Sequence, residues 1–327
     1  MKSRKKFGLV PDRKSLWGFL RIKVPGLRSS KRGVVLNVIQ PPLSMTQPRE
    51  LSCSKNLKGF CGRALALLAI SLSCFANLSA NHAVVDYPGF YDNPHLTEKM
   101  QVTIAPYLLP VNHPIMETVD AIFSQGRVTQ NQQTLVDAGF EIIAGPMPRS
   151  FIIVARHPAV PGYVFKIYLD SEERCRDGLP HWKSLAYRCA GAYGIRKIIE
   201  REKIRHFSVP DKWLYLLPPL PFEEGKDPET VILIATDMEL ESYEVTKDMW
   251  RTIVTKEHLD ELHAILKHGF GGRGTLVLSV NVPFTKRGKF AFTDTESHKA
   301  ELKLKGIKKY LSKEMQQYWF SLIQESK

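Results

Sequence analysis

Between residues 140 and 170 the chain runs through three short β-prone stretches with little between them: Phe140–Ala144 (FEIIA), Phe151–Ala155 (FIIVA) and Tyr163–Asp170 (YVFKIYLD). The connections are the turn Gly145–Ser150 and the two-proline stretch His157–Gly162. Apolar and β-branched runs of this length, bounded by Gly and Pro, predict strands, and connections this brief predict an antiparallel meander. A long helical stretch follows, His181–His206, with Ile195, Ile198, Ile199 and Ile204 on one broad face and Pro210 just beyond it;. Lys212–Leu217 (KWLYLL) predicts a fourth strand. After a proline-rich loop (PPLPFEEGKDP), Val231–Ala235 (VILIA) predicts a fifth, and its unbroken apolar run indicates a buried position;.

The residues on either side predict helices and connectors. Residues 81–110 are rich in Pro, Asn and Tyr and read as irregular; helices are expected over His113–Phe123 and Asn131–Ala138, the second ended by Gly139;. Beyond Asp237–Ser242, Thr255–His268 predicts an amphipathic helix with Leu259, Leu262, Ile265 and Leu266 inward;. Gly269–Gly274 is a glycine-rich connector. Leu276–Val280 and Lys289–Phe292 read as a hairpin around Asn281–Gly288, and Ser297–Gln324 as mostly helical. The expected class is α+β in two lobes. A five-stranded antiparallel lobe spans 139–236, with 81–138 as its lead-in, and a reduced, mostly helical lobe spans 237–327.

The net charge of +13 does not belong to these lobes. Residues 1–80 hold fifteen Lys or Arg against Asp12 and Glu50, a surplus of 13, whereas 31 basic and 31 acidic residues cancel over 81–327. A broad basic surface for nucleic acid is therefore not expected. Residues 1–44 alternate basic clusters with Gly, Pro and Ser and read as a disordered or non-native extension, with Met45 as a second start. Residues 45–80 are ordered like a secretory signal peptide: basic Arg49, Lys55, Lys58 and Arg63, then the uncharged run Ala64–Ala76, then small residues at Ser79 and Ala80;. Export follows, to the periplasm, the medium or another cell. An uncleaved anchor over 64–82 and a buried helix are the other readings, the run being borderline against the roughly 20 residues of a membrane span. After cleavage Cys175 and Cys189 remain, either as a disulfide or as two free thiols;.

Scattered residues in this layout carry a resemblance. Lys166 sits in Val164-Phe165-Lys166-Ile167-Tyr168 on the third strand. Glu200, with Glu202 in reserve, lies late on the following helix. Asn281 and Asp294 end the two arms of the late hairpin, with Asp294-Thr295-Glu296 after the second arm. Over about residues 139–296 the chain resembles the protein kinase-like superfamily, in its small atypical bacterial and pseudokinase versions. The resemblance implies that Lys166 contacts nucleotide phosphates, that Glu200 orients Lys166, and that Asn281 and Asp294 hold Mg²⁺ beside ATP.

The departures from that family are specific. Its catalytic base stands five residues before the Asn, where this chain has Leu276, which cannot accept a proton;. The first turn has one glycine and two prolines in place of the glycine-rich loop, and only 31 residues follow Glu296. The function expected is an exported kinase-like domain that binds ATP and Mg²⁺ with weak or absent phosphotransferase activity. The alternative is a non-catalytic secreted or envelope-associated interaction protein. His258, His263 and His268 recur every five residues, which turns them off a common helical face and argues against zinc;.

Overall fold

The structure, a computed structural model, describes residues 87–146, 151–171, 175–176, 179–268, 276–296 and 304–325, all within one compact unit, Cys74–Lys327. The extension, the signal-peptide stretch, the tip of the first turn and the glycine-rich connector fall outside the described residues.

Five strands form one antiparallel sheet: β1 (Glu141–Ala144), β2 (Ile153–Arg156), β3 (Tyr163–Ile167), β7 (Lys212–Leu216) and β8 (Val231–Thr236), in the spatial order β1-β2-β3-β8-β7. Four further strands are two residues long: β4 (Cys175–Arg176) with β5 (Leu179–Pro180), and β6 (Phe207–Ser208) with β9 (Phe290–Ala291). Gly145 closes the first turn at φ +99°, and a Cβ there would stand 2.3 Å from the Ile152 carbonyl oxygen, so glycine is required;. The fifth strand in sequence lies between the third and the fourth. That central position buries both of its faces and accounts for its continuous apolar run;.

The register defines two faces. Val164 and Lys212 both pair with Ala235, and Val154 pairs with Lys166, so these five side chains share one face. Phe165, Ile234 and Trp213 share the other. The lead-in covers that second face. Its helices are α1 (Glu98–Ile104), α2 (Met116–Ser124) and α3 (Gln132–Asp137). Phe123 of α2 lies against Tyr215, and Phe140 meets Phe165 edge-on at 5.1 Å. The Arg127 guanidinium donates twice to the Asp170 carboxylate at 2.8 Å, pinning the lead-in to the end of β3. The stretch before residue 111 is not wholly irregular: α1 is capped by Thr97, whose hydroxyl accepts from the Met100 amide;.

Helix α4 (His181–Glu202) joins the sheet to the helical region. Its first half places Leu185, Ala186 and Cys189 in the core of the sheet, and its second half places Ile195 and Ile198 in the core of the helices. Lys203, left-handed at φ 54°, ends it;. The second core gathers α5 (Tyr243–Thr252), α6 (Lys256–Leu266) and α8 (Lys313–Glu325) around Trp250, Leu262, Phe290 and Trp319. Helix α5 leaves little apolar trace in the sequence, because it buries only Thr246 and Trp250; its start is marked by Ser242, which accepts from the Val245 amide. Among the described residues no helix is long and apolar enough to cross a membrane.

The late hairpin is where structure and sequence part. Leu276–Val280 is not a strand: Leu278–Asn281 forms one helical turn, α7, with the Asn281 amide donating to the Val277 carbonyl at 2.7 Å. The apolar residues Leu276, Leu278 and Val280 recur at period two and imitate one face of a strand over a segment too short to separate the two periods, yet Val280 is 55% exposed;. The other arm, β9, pairs with β6 in parallel instead. Cys189 is a buried free thiol, pushed up to about 12 by burial; the side chain of Cys175 lies outside the described residues.

Candidate functional site

A cleft of about 1110 Å³ opens between the sheet and the helical region. Its walls are apolar: Ile143, Ile152, Val154, Val164, Ala235 and Met238. Its floor is charged, and is built by three elements that converge on the segment after β9.

The sheet contributes two lysines. Lys166 of β3 and Lys212 of β7 each donate from Nζ to the Thr293 carbonyl oxygen at 3.0 Å, and Lys212 also donates to the Thr295 hydroxyl at 2.7 Å. They are brought together because both flank β8 on the face that carries Ala235. Helix α4 contributes Ser184 and Arg188, one turn apart on its inner face. The Arg188 guanidinium, 5% exposed, pairs with Asp294 from one nitrogen and with Glu296 at 3.3 Å from another. Ser184 donates to the second oxygen of Glu296 at 3.1 Å. Thr295 donates to the Arg188 carbonyl, locking the backbone of 293–296 against the helix.

Of the residues singled out from the sequence, Lys166, Asn281 and Asp294 all line this cleft. Glu200 does not. It is exposed near the end of α4 and is absent from the cleft lining, and Glu202 is exposed beyond it. The helical residue that reaches the Lys166 region is the cation Arg188, three turns earlier. Leu276 is buried at 3% exposure in the helical core. Reasoning from the sequence missed Lys212, Arg188 and Ser184. The signal for Arg188 was present: it falls in the series Ser184, Arg188, Gly191, Ile195, which all face inward;. A charge on an inner face needs a partner. Lys212 opens an otherwise apolar strand and carried no such mark.

The donors at Asn281 and Asp294 do not suit a divalent cation. The Asn281 side-chain oxygen accepts from the Val277 amide at 2.9 Å, which turns its NH₂ toward the Asp294 carboxylate, 3.4 Å away. The other Asp294 oxygen is held by Arg188. Mg²⁺ wants hard oxygen donors. Here one candidate oxygen closes a helical turn and the other faces a guanidinium. Elsewhere among the described residues, His206, Glu257 and Glu261 come within metal-ligand separation. Their structural duties account for them: Glu261 accepts the Arg205 and His206 amides, and Glu257 pairs with Arg205.

Crowding of like charge tunes the amines. Burial, and then the neighbouring Arg188, lower Lys166 from the ordinary 10.5 to about 8, against the partial opposition of Asp294 and Glu296;. Lys212 falls well below its ordinary value through burial and the proximity of Lys166. Between about pH 8 and 10 the unfolded chain therefore holds more protons than the native one, and stability rises with pH across that window. Cys189, raised from 9.0 to about 12, opposes this rise from about pH 9, and above about 10 the sign reverses, because burial also raises Tyr87 and Tyr215, which stay protonated only when folded;. Urea midpoints recorded from pH 7 to 11 should pass through a maximum near 10, with a weaker rise in Lys166→Met. A midpoint that falls steadily from pH 8 would contradict the crowded-amine arrangement.

No protein-family model matches the chain, and no curated protein matches it in sequence.

Proposed function

We propose that this cleft binds a phosphate-bearing ligand of the nucleotide class, in a two-lobed kinase-like arrangement whose phosphotransferase activity is weak or absent. The observation that carries the reading is the convergence of Lys166, Lys212 and Arg188 on one floor beneath apolar walls. Ammonium and guanidinium groups suit phosphate oxygens, and the apolar walls suit a planar base. The sheet with one long helix between its third and fourth strands in sequence, and the meeting of Lys166 with Asn281 and Asp294, support the kinase-like reading. Weak transfer follows from Leu276: a general base contributes about 10²–10⁴-fold, and no carboxylate stands there. The basic and then apolar leader over 45–80 supports export, so the ligand would be met outside the producing cytoplasm or after delivery to another cell.

Thermal denaturation of the full chain with ATP, ADP and adenosine tests this. ATP at about a hundredfold over its Kd should add about 2.7 kcal/mol of stability. Adenosine should add much less, and Lys166→Met should lose the ATP effect. Incubation with γ-labelled ATP should show little transfer. No displacement of Tm by any phosphate compound at millimolar concentration would remove the proposal and favour the non-catalytic interaction module.

A further inference from the structure

Resting on that reading of the cleft, we infer that it takes a nucleoside di- or triphosphate without a divalent cation, Arg188 supplying the positive charge that a metal would otherwise bring. The Asp294 carboxylate, which the resemblance to kinases would assign to Mg²⁺, is already paired with Arg188, and Asn281 presents its NH₂ there. Among the described residues the floor sets three basic side chains, Lys166, Lys212 and Arg188, against two carboxylates, Asp294 and Glu296, which leaves one positive charge over when both amines are protonated.

Donor capacity agrees with that surplus. Among the described residues Lys166 spends one of its three N–H bonds, on the Thr293 carbonyl, and Lys212 spends two;. Arg188 Nε is buried with no hydrogen-bond partner among them. A donor buried in this way costs free energy until something accepts from it. Arg188 lines the cleft, as do both lysines. Oxygens of a di- or triphosphate would accept these vacant N–H bonds and neutralise the surplus. A divalent cation entering the same floor would meet three like charges and would have to displace a guanidinium. Mg²⁺ bound to the phosphates would also cancel the charge that the floor attracts.

Calorimetric titration of the full chain with ATP, in Mg²⁺ and separately in excess EDTA, tests the inference, with ADP, pyrophosphate and adenosine as further probes. The expected result is ATP binding in EDTA at least as tight as in Mg²⁺. Pyrophosphate should bind more weakly than ATP if the walls hold the base. Arg188→Gln, which retains a hydrogen-bonding head but not the charge, should weaken binding in EDTA by at least tenfold, on the order of 1.4 kcal/mol. It should also release Asp294, so that Mg²⁺ then strengthens binding. ATP binding by the unaltered protein only when Mg²⁺ is present would overturn the inference and leave the proposed function standing. Absence of binding by ATP, ADP and pyrophosphate under both conditions would overturn both. These outcomes are read on the unaltered chain, so a variant that fails to fold does not protect the inference.

Discussion

Asp294→Ala is expected to lower the unfolding free energy by about 3–5 kcal/mol, the usual cost of leaving a buried charge without its partner. Arg188 is almost wholly enclosed, and after that substitution Glu296, at 3.3 Å, is the one carboxylate left facing it among the described residues. Lys166 and Lys212 lose in the same step the carboxylate that attracts them most strongly. The urea midpoint should drop with an unchanged slope. In a double-mutant cycle with Arg188→Met the two changes should couple by about 0.5–3 kcal/mol. An acid titration adds a second readout. Burial alone would raise the Asp294 carboxyl, but Arg188, Lys166 and Lys212 outweigh it and hold the group at about 2, against an ordinary 3.8. Its folded value is depressed, so its contribution is complete above about pH 4 and is lost as pH falls toward 2. Asp294→Asn should flatten that limb. If Asp294→Ala unfolds at the same midpoint as the parent, the ionic floor does not hold the two regions together.

Lys212→Met is expected to do the opposite and to raise stability by about 1 kcal/mol, because burial and the neighbouring Lys166 and Arg188 together outweigh the attraction of Asp294 for this amine;. Lys212 is 8% exposed and crowded by Lys166 and Arg188. Its removal orphans little. The Thr293 carbonyl keeps its bond from Lys166, and Thr295 keeps its bond to the Arg188 carbonyl. The same change should weaken ATP binding by at least tenfold, about 1.4 kcal/mol. Gain in one property with loss in the other is what a site maintained at a cost to folding would show. A variant that is less stable and binds as the parent does would reverse the assignment and make Lys212 a structural strut.

The sheet was legible because its evidence is local. Phe140–Ala144, Tyr163–Asp170 and Val231–Ala235 each carry their own strand propensity and their own turn boundaries, and the run of short connections restricts the topology. The helix from His181 was legible through its inward isoleucines. The late hairpin was not, since Leu276–Val280 fits both periods and the choice was made by the Val277 carbonyl accepting from Asn281 and by β6 claiming β9 from a distance of about eighty residues in sequence;. Helix α5 was hidden for a different reason: its packing rests on Trp250 and a buried Thr246, too few apolar positions to set a period.

The candidate site divides in the same way. Lys166, Asn281 and Asp294 could be named from the sequence through its resemblance to the kinase-like pattern. Which charge would face them could not, because Glu200 and Arg188 lie three turns apart on one helix, and only its placement and rotation against the sheet select between them;. That rotation comes from burying Leu185 and Cys189 in one core and Ile195 and Ile198 in the other. Local propensity and patterning decided the strands, the long helix and the candidate amine, since those depend on neighbours within a few residues. The cationic floor, and the guanidinium standing where a metal was expected, were decided by packing across more than a hundred residues of chain.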